Sequence, residues 1–213
     1  VGCGSPERLF VLRLGPVERQ RLLGFEGNLM RAEEYVCSAC RAAALPCSEV
    51  LAVDTSRTLV DRDYMIVSYI PSVPMCSAPL TREEKHALYL ERGGFLRRLH
   101  SVEGTRFGFV SRLLEGVGFE SWSGALYFEI SDFTARLEAA GGLTAEEGER
   151  VRAAFAGNAE LFDEITAPRL LHTDMWEGNV LLGRETHSIL AVIDGDRAVS
   201  WGSPSTTTRT CSA

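Results

Sequence analysis

The chain lacks a long apolar segment, and it lacks an excess of basic residues. No uninterrupted apolar run approaches the roughly 18–20 residues that span a bilayer, so the sequence predicts no membrane span. Residues 1–6 carry neither a basic stretch nor an apolar core, which excludes a secretory signal there. The net charge of −7 argues against a nucleic-acid-binding surface and suits a cationic ligand. We therefore expect a soluble cytoplasmic protein that binds a small molecule and neither membrane nor nucleic acid; its oligomeric state stays open.

Cysteine is sparse, and its spacing does not match a complete metal site. The chain has six cysteines, at positions 3, 37, 40, 47, 76 and 211. Only Cys37 and Cys40 have metal-like spacing, and no second pair accompanies them, whereas a structural zinc site needs four ligands. We interpret this pair as reduced core residues on the apolar face of a helix.

Hydrophobic patterning predicts a strand-rich first part and a mainly helical second part. In the first part we expect strands at 9–14, 50–53 and 64–70 and a helix over 28–44. In the second part we expect helices over 82–100, 119–140 and 144–165, then short strands at 180–182 and 189–193. Capping boxes that begin at Thr81 and Thr144 mark the starts of the first and third of these helices.

These elements predict an α+β protein with two lobes. We expect a partial N-lobe over 1–70, a proline-rich linker over 71–79 and a helical C-lobe over 80–202. Residues 203–213 have no apolar periodicity and are predicted to be an irregular tail. Back-translated with GC-rich codons and read in another frame, the tail gives an acidic segment with an apolar end. We therefore hypothesise a frameshift, which the codons of the gene would test.

The most informative segment lies near the C-terminal end of the chain. It has the form His172-x-Asp174-x-x-x-x-Asn179, followed by a predicted strand and then by Asp194. In kinase-type phosphoryl transfer, one Asp orients the attacking hydroxyl, and an Asn and a second Asp hold Mg²⁺ against the phosphates. The spacing therefore indicates a phosphoryl-transfer site.

With several shorter segments, this motif makes the chain resemble the aminoglycoside phosphotransferase and choline kinase superfamily. The shorter segments are Phe10-Val11-Leu12-Arg13, Leu45-Pro46 followed by 50–54, and Leu99-His100 followed by Phe107-Gly108-Phe109. Their order and spacing cover most of the chain, from about residue 9 to 202. The resemblance implies a protein-kinase-like fold with a small β-rich N-lobe and a mainly helical C-lobe, and it implies ATP and Mg²⁺ as cofactors.

The resemblance also implies roles in the catalytic segment. Asp174 would be the catalytic base, and His172 would belong to the catalytic loop chiefly as a residue that orders it. Asn179 and Asp194 would be Mg²⁺ ligands. The role of Asp196 stays open between an acid that supports the site and a solvated turn residue.

The nucleotide site follows from the same resemblance. Arg13 stands where the family often has a phosphate-pairing Lys, and its partner would be Glu33, with the adjacent Glu34 as the alternative. The adenine would bind backbone groups at the start of the linker. These groups belong to Ser68, Tyr69 and Ile70.

Three departures from the family pattern put activity in question. Thr173 stands where the family usually has Gly in the catalytic loop. The first two strands with their phosphate-covering loop are missing or begin only at residues 1–4, and Gly202-Ser203-Pro204 stands where the family has Gly-Asp-Pro before its last helices. We therefore expect a kinase core truncated at both ends.

The resulting hypothesis is an ATP- and Mg²⁺-dependent kinase that phosphorylates a hydroxyl of an aminoglycoside-like substrate, with antibiotic resistance as its consequence. A metabolic ketosamine or choline-type kinase is one alternative. A catalytically inactive, nucleotide-binding truncated pseudokinase is another.

Overall fold

A computed structural model of the protein describes residues 9–19 and 22–200, and this part contains both strands and helices, as predicted. The strands are β1 (Phe10–Leu14), β2 (Val50–Asp54), β3 (Tyr64–Ser68), β4 (Val73–Pro74), β5 (Gly108–Phe109), β6 (Leu170–Leu171), β7 (Val180–Leu182), β8 (Ile189–Val192) and β9 (Val199–Ser200). The helices are α1 (Leu29–Ala42), α2 (Arg82–Leu99), α3 (Val110–Leu114), α4 (Trp122–Ala139), α5 (Ala145–Ala156) and α6 (Ala159–Phe162). The predicted tail at 203–213 and the segment 202–204 lie outside the described residues.

The first sheet is antiparallel, with the strand order β1-β3-β2. Along β3 the side chains alternate between the two faces, and Met65 and Val67 are buried. Arg13 pairs with Met65 across the β1–β3 ladder, which places its side chain over the inner part of the sheet. This sheet therefore presents Arg13 toward the helix that follows it in the chain.

Helix α1 packs its buried face against the short 3₁₀ helix Gly195–Arg197, close to the end of β8. Its buried residues include Ala32, Glu33 and Val36, whose spacing places them on one face. The approach is close, because a Cβ atom on Gly195 would lie 2.7 Å from Val36 Cγ1. Glycine at 195 is therefore what allows Glu33 and Asp194 to lie beside each other.

The C-terminal part combines helices α2 to α6 with two further small sheets, ordered β4-β7-β8 and β5-β9-β6. A continuous apolar core runs from α1 through α2 to the β7–β8 hairpin. It includes Val36, Leu99, Met175, Leu182 and Val192, all of them buried. The segment between β6 and β7, which holds the predicted catalytic motif, is thus anchored on both sides by core residues.

Both predicted capping boxes are confirmed. Thr81 Oγ1 accepts a hydrogen bond from the backbone N–H of Glu84 at 3.2 Å, and the Thr81 N–H donates to Glu84 Oε2 at 2.7 Å. Thr144 and Glu147 repeat the same arrangement at the start of α5. Each box satisfies backbone donors that the first turn of a helix cannot pair internally.

The structure corrects two of the predicted elements. A single helix over 144–165 is wrong: α5 ends at Ala156, and α6 begins only after Gly157 and Asn158. Asn158 Nδ2 donates to the carbonyl of Ala154 at 2.7 Å, and this bond competes with continuation of the helix. Residues 71–79, predicted to be a linker, also hold strand β4 and a 3₁₀ turn with the buried Met75.

Cys37 and Cys40 are buried on the inner face of α1, in agreement with their interpretation as core residues. No disulfide joins the cysteines at 37, 40, 47 and 76, which are those in the described ranges. Between residues 9 and 200, leaving out 20 and 21, none of the helices has the length and apolar character needed to cross a bilayer.

Candidate active site

The predicted catalytic loop connects β6 to β7 and is tied to the end of β8 by its histidine. The side chain of His172 is buried, and its Nε2–H donates to the carbonyl of Ile193 at 3.0 Å. Burial lowers the pKa of His172, although the nearby carboxylates of Asp174 and Asp194 oppose this shift. The imidazole is therefore neutral near pH 7, and it joins the loop to the residue that precedes Asp194.

Asp174 and Asn179 contact each other directly across the loop. Asn179 Nδ2 donates to the carbonyl of Asp174 at 2.9 Å and to Asp174 Oδ2 at 3.1 Å. The Asn179 side chain is buried, and its backbone carbonyl accepts from the N–H of Ile193 at 3.0 Å. Both side-chain bonds use the amide nitrogen, so the amide oxygen is the atom that Asn179 can offer to a cation.

Thr173 adopts the left-handed backbone conformation, with a φ of 63°. Glycine adopts this conformation freely, whereas a β-branched residue is strained there. The side chain offsets part of the strain, since Thr173 Oγ1 donates to the carbonyl of Arg197 at 2.9 Å. The threonine thereby fastens the catalytic loop to the 3₁₀ turn that follows Asp194.

Substitutions at Thr173 should separate the strain from the hydrogen bond. Thr173→Gly loses the bond but relieves a left-handed strain of about 1–2 kcal/mol, whereas Thr173→Ala loses the bond and keeps the strain. We expect the glycine variant to exceed the alanine variant by about 1 kcal/mol in free energy of unfolding, measured by urea denaturation. A glycine variant about 0.5–1 kcal/mol less stable than the alanine variant, the cost of its greater backbone freedom when unfolded, would show that the position carries no strain.

Asp194 also lies in the left-handed region, with a φ of 63°, two residues after the end of β8. Asp is one of the few residues that adopt this conformation at modest cost. Its side chain remains 42% exposed, so the carboxylate is open to a ligand from the cleft. Its Oδ1 lies 2.8 Å from Arg13 Nη2, which joins the end of β8 to the first sheet.

Arg13 is the centre of a group of three carboxylates. Its Nη1 contacts Glu33 Oε2, and its Nη2 lies 2.8 Å from Asp194 and 3.4 Å from Asp196. The adjacent Glu34 instead pairs with Arg31 at 2.9 Å, on the outer side of α1. Of the two candidate partners for Arg13, the structure therefore brings Glu33 to it.

Oxygen ligands that suit Mg²⁺ converge at this point. Carboxylate oxygens of Glu33, Asp194 and Asp196 lie within 4.8 Å of one another. The amide oxygen of Asn179 belongs to the adjoining loop, whose backbone bonds to Ile193. Carboxylate and amide oxygens are the donors that Mg²⁺ prefers, so the donor set fits this ion.

A cleft of about 210 Å³ joins the first sheet to β7 and the end of β8. It is lined by every residue predicted to bind the nucleotide and by Asp194. The lining residues are Val11, Arg13, Glu33, Ser48, Val67, Ser68, Tyr69, Ile70, Ser72, Leu181, Ile193 and Asp194. Asp174, His172 and Asn179 are not among them; their loop adjoins the cleft through Ile193.

Several of the lining residues were not predicted from the sequence. Val11 could have been found, because it lies two positions from Arg13 on the same strand and therefore on the same face. Ser48, Ser72 and Leu181 come from separate loops and strands, and no local pattern marks them. A larger groove of about 730 Å³, between the end of α2 and residues 164–169, shares no residue with this cleft.

The solved structures that resemble this fold include several aminoglycoside phosphotransferases. APH(4)-Ia, in a ternary complex with ADP and hygromycin B, has a TM-score of 0.64 and 20% identity, covering 97% of this chain and 65% of its own. The gentamicin complex of APH(2")-IIa has a TM-score of 0.60 and 20% identity, and the match covers 93% of this chain and 62% of that one. APH(3'')-Id from Streptomyces rimosus, bound to ADP and streptomycin, has a TM-score of 0.58 and 17% identity, and the match covers 94% of this chain and 72% of that one.

These likenesses show the fold, which is the kinase-like fold predicted from the sequence. The chain spans less than two thirds of the length of two of these three relatives. No curated protein sequence matches it significantly. A model of the phosphotransferase enzyme family, however, matches residues 8–202, nearly the whole chain. The chain therefore belongs to the phosphotransferase enzyme family.

Proposed function

We propose that this chain is the core of an ATP- and Mg²⁺-dependent kinase that transfers the γ-phosphoryl group to a hydroxyl of an aminoglycoside-like substrate. The observation that carries the proposal is the contact between Asp174 and Asn179, in a loop tied through Ile193 to Asp194 in the cleft. A base, an amide and a second carboxylate in this order are what phosphoryl transfer requires.

In this proposal each residue of the site has a separate task. Asp174 accepts or orients the proton of the attacking hydroxyl, and Asn179 and Asp194 would hold Mg²⁺, which would supply positive charge against the phosphates. Arg13 pairs with the phosphates, and Glu33 orients it. His172 keeps the loop against the end of β8. Backbone groups at 68–70, which line the cleft, bind the adenine.

The substrate class rests on two supports. The similar structures hold hygromycin B, gentamicin and streptomycin, which are cationic aminoglycosides or close analogues. The net charge of −7 favours a cationic ligand over an anionic one. Phosphorylation of such an antibiotic would confer resistance. Ketosamine and choline-type acceptors remain the alternatives within the same chemistry.

A nucleotide-binding protein without transferase activity is the second candidate. The 2.8 Å ion pair between Arg13 and Asp194 favours it, because the arginine engages the carboxylate that Mg²⁺ would need. A kinase must break or share this contact when Mg²⁺ and ATP bind. Binding of ATP without any transfer would identify this second candidate.

The test is phosphate transfer from ATP to a panel of aminoglycosides, ketosamines and choline, with and without Mg²⁺. We expect Mg²⁺-dependent phosphorylation of at least one aminoglycoside. Transfer only to ketosamines or choline would replace the proposed substrate class. No transfer to any acceptor, with ATP binding retained, would replace the proposed kinase by the second candidate.

A further inference from the structure

We infer that Asp196 is a positioning residue that holds the guanidinium of Arg13 when Asp194 turns to the metal ion. The inference rests on the proposed function and deepens it at the nucleotide site. It also explains why an arginine at position 13 can do what a lysine does in many relatives. Asp196 contacts Arg13 and acts through it.

The geometry divides the contacts of Arg13 between its two terminal nitrogens. Nη1 is held by Glu33 of α1, whose side chain is only 5% exposed. Nη2 is shared by Asp194 at 2.8 Å and Asp196 at 3.4 Å, both from the segment after β8. The two ends of the planar guanidinium are thus fixed by different elements of the fold.

We expect Mg²⁺ binding to affect the two carboxylates on Arg13 Nη2 differently. Asp194 is the proposed metal ligand, and coordination of Mg²⁺ by its oxygens would weaken the contact that it makes with Arg13. Asp196 lies two residues further on, and its side chain is 19% exposed against 42% for Asp194. It is the more enclosed of the two carboxylates, and it would stay on Nη2 when Asp194 binds the metal ion.

The turn that carries Asp196 is firmly supported. Thr173 Oγ1 bonds to the carbonyl of Arg197 on one side, and Arg197 Nη2 contacts Glu26 Oε1 at 3.0 Å on another. Gly195 packs against Val36 of α1. Because these contacts come from three separate elements, Asp196 is held at a fixed position relative to Glu33 and Arg13.

This arrangement is specific to arginine. A guanidinium presents donors in a rigid planar fork, so two carboxylates on opposite sides can fix its plane. A lysine ammonium is a single charged atom, and Glu33 alone suffices to hold it. We therefore expect Asp196 to matter with arginine at position 13 and to lose most of its effect with lysine there.

The experiment is a double-mutant cycle on ATP affinity at saturating Mg²⁺, using Arg13→Lys, Asp196→Asn and the double variant. We expect Asp196→Asn to weaken ATP binding about tenfold in the wild-type background and less than about twofold in the Arg13→Lys background. The Mg²⁺ concentration for half-maximal binding should stay unchanged. Asp196→Glu keeps the charge and should restore affinity to within about threefold of wild type. Asp61→Asn, an exposed acid paired with Arg62, is the matched control.

Each contrary result has a distinct meaning. Equal effects of Asp196→Asn in both backgrounds would overturn the coupling to Arg13. A raised Mg²⁺ requirement would instead make Asp196 a metal ligand and overturn the positioning role. Unchanged affinity in Asp196→Asn would remove any role at this site. If the wild-type chain bound no ATP at all, the proposed function itself would fail, and the inference with it.

Discussion

Replacing Asp174 by Asn is expected to lower phosphoryl transfer by about 10²–10⁴-fold while ATP affinity changes by no more than a few fold. The substitution keeps the size of the side chain and an oxygen that can accept from Asn179 Nδ2, as Asp174 Oδ2 now does at 3.1 Å. What it removes is the negative charge that, in the proposed mechanism, would accept or orient the proton of the attacking hydroxyl. The loop should keep its shape, so the loss should fall on the chemical step.

The measurement is the turnover number with the acceptor that the wild-type chain phosphorylates fastest, beside ATP affinity by calorimetric titration. Asp163→Asn provides a second carboxylate-to-amide change. The Asp163 carboxylate accepts hydrogen bonds from the N–H and the hydroxyl of Ser123 and lies outside the nucleotide cleft. This substitution should leave turnover within about twofold, as expected for sites remote from the chemistry. Wild-type turnover in the Asp174 variant would refute the assignment of this residue as the base.

The elements that carry the site could be predicted because their signals are local. The apolar period over residues 28–44 predicts helix α1, and the capping box at Thr81 marks the start of α2. The proposed catalytic loop could be picked out because phosphoryl transfer requires particular intervals between Asp174, Asn179 and the strand after them. These features depend on helix period, cap chemistry and motif spacing, and each of these is determined by residues that are close together in the sequence.

The remaining features depend on contacts between distant segments. Glu33 and Glu34 are adjacent, and only the packing of α1 on the turn after β8 shows which of them meets Arg13. Asp196 is ambiguous in the sequence for a similar reason, since its contact with Arg13 joins segments that are far apart in the chain. The backbone strain at Thr173 could not be predicted either, because the sequence shows the unusual residue but not its φ angle.

Asp194 should be the residue through which Mg²⁺ controls nucleotide binding. We expect Asp194→Asn to abolish the strengthening of ATP binding by Mg²⁺ and to lower transfer at least about a hundredfold, since metal coordination supplies several kcal/mol of charge stabilisation. Without Mg²⁺, ATP affinity should not fall, because Arg13 loses a competing carboxylate 2.8 Å away and is freer to meet the phosphates. Retained Mg²⁺ dependence would point to Glu33 and Asp196 as the ligands instead.

Asparagine at position 194 separates the effect on Mg²⁺ dependence from the effect on stability better than alanine does. Asp194 has a φ of 63°, a conformation that asparagine adopts at lower cost than alanine. Asp194→Ala should therefore combine loss of the metal ligand with a loss of stability of about 1 kcal/mol, whereas Asp194→Asn should lose the ligand charge alone. Equal Mg²⁺ insensitivity in both variants, with lower stability only in the alanine variant, would assign the metal effect to the carboxylate and the stability effect to the backbone.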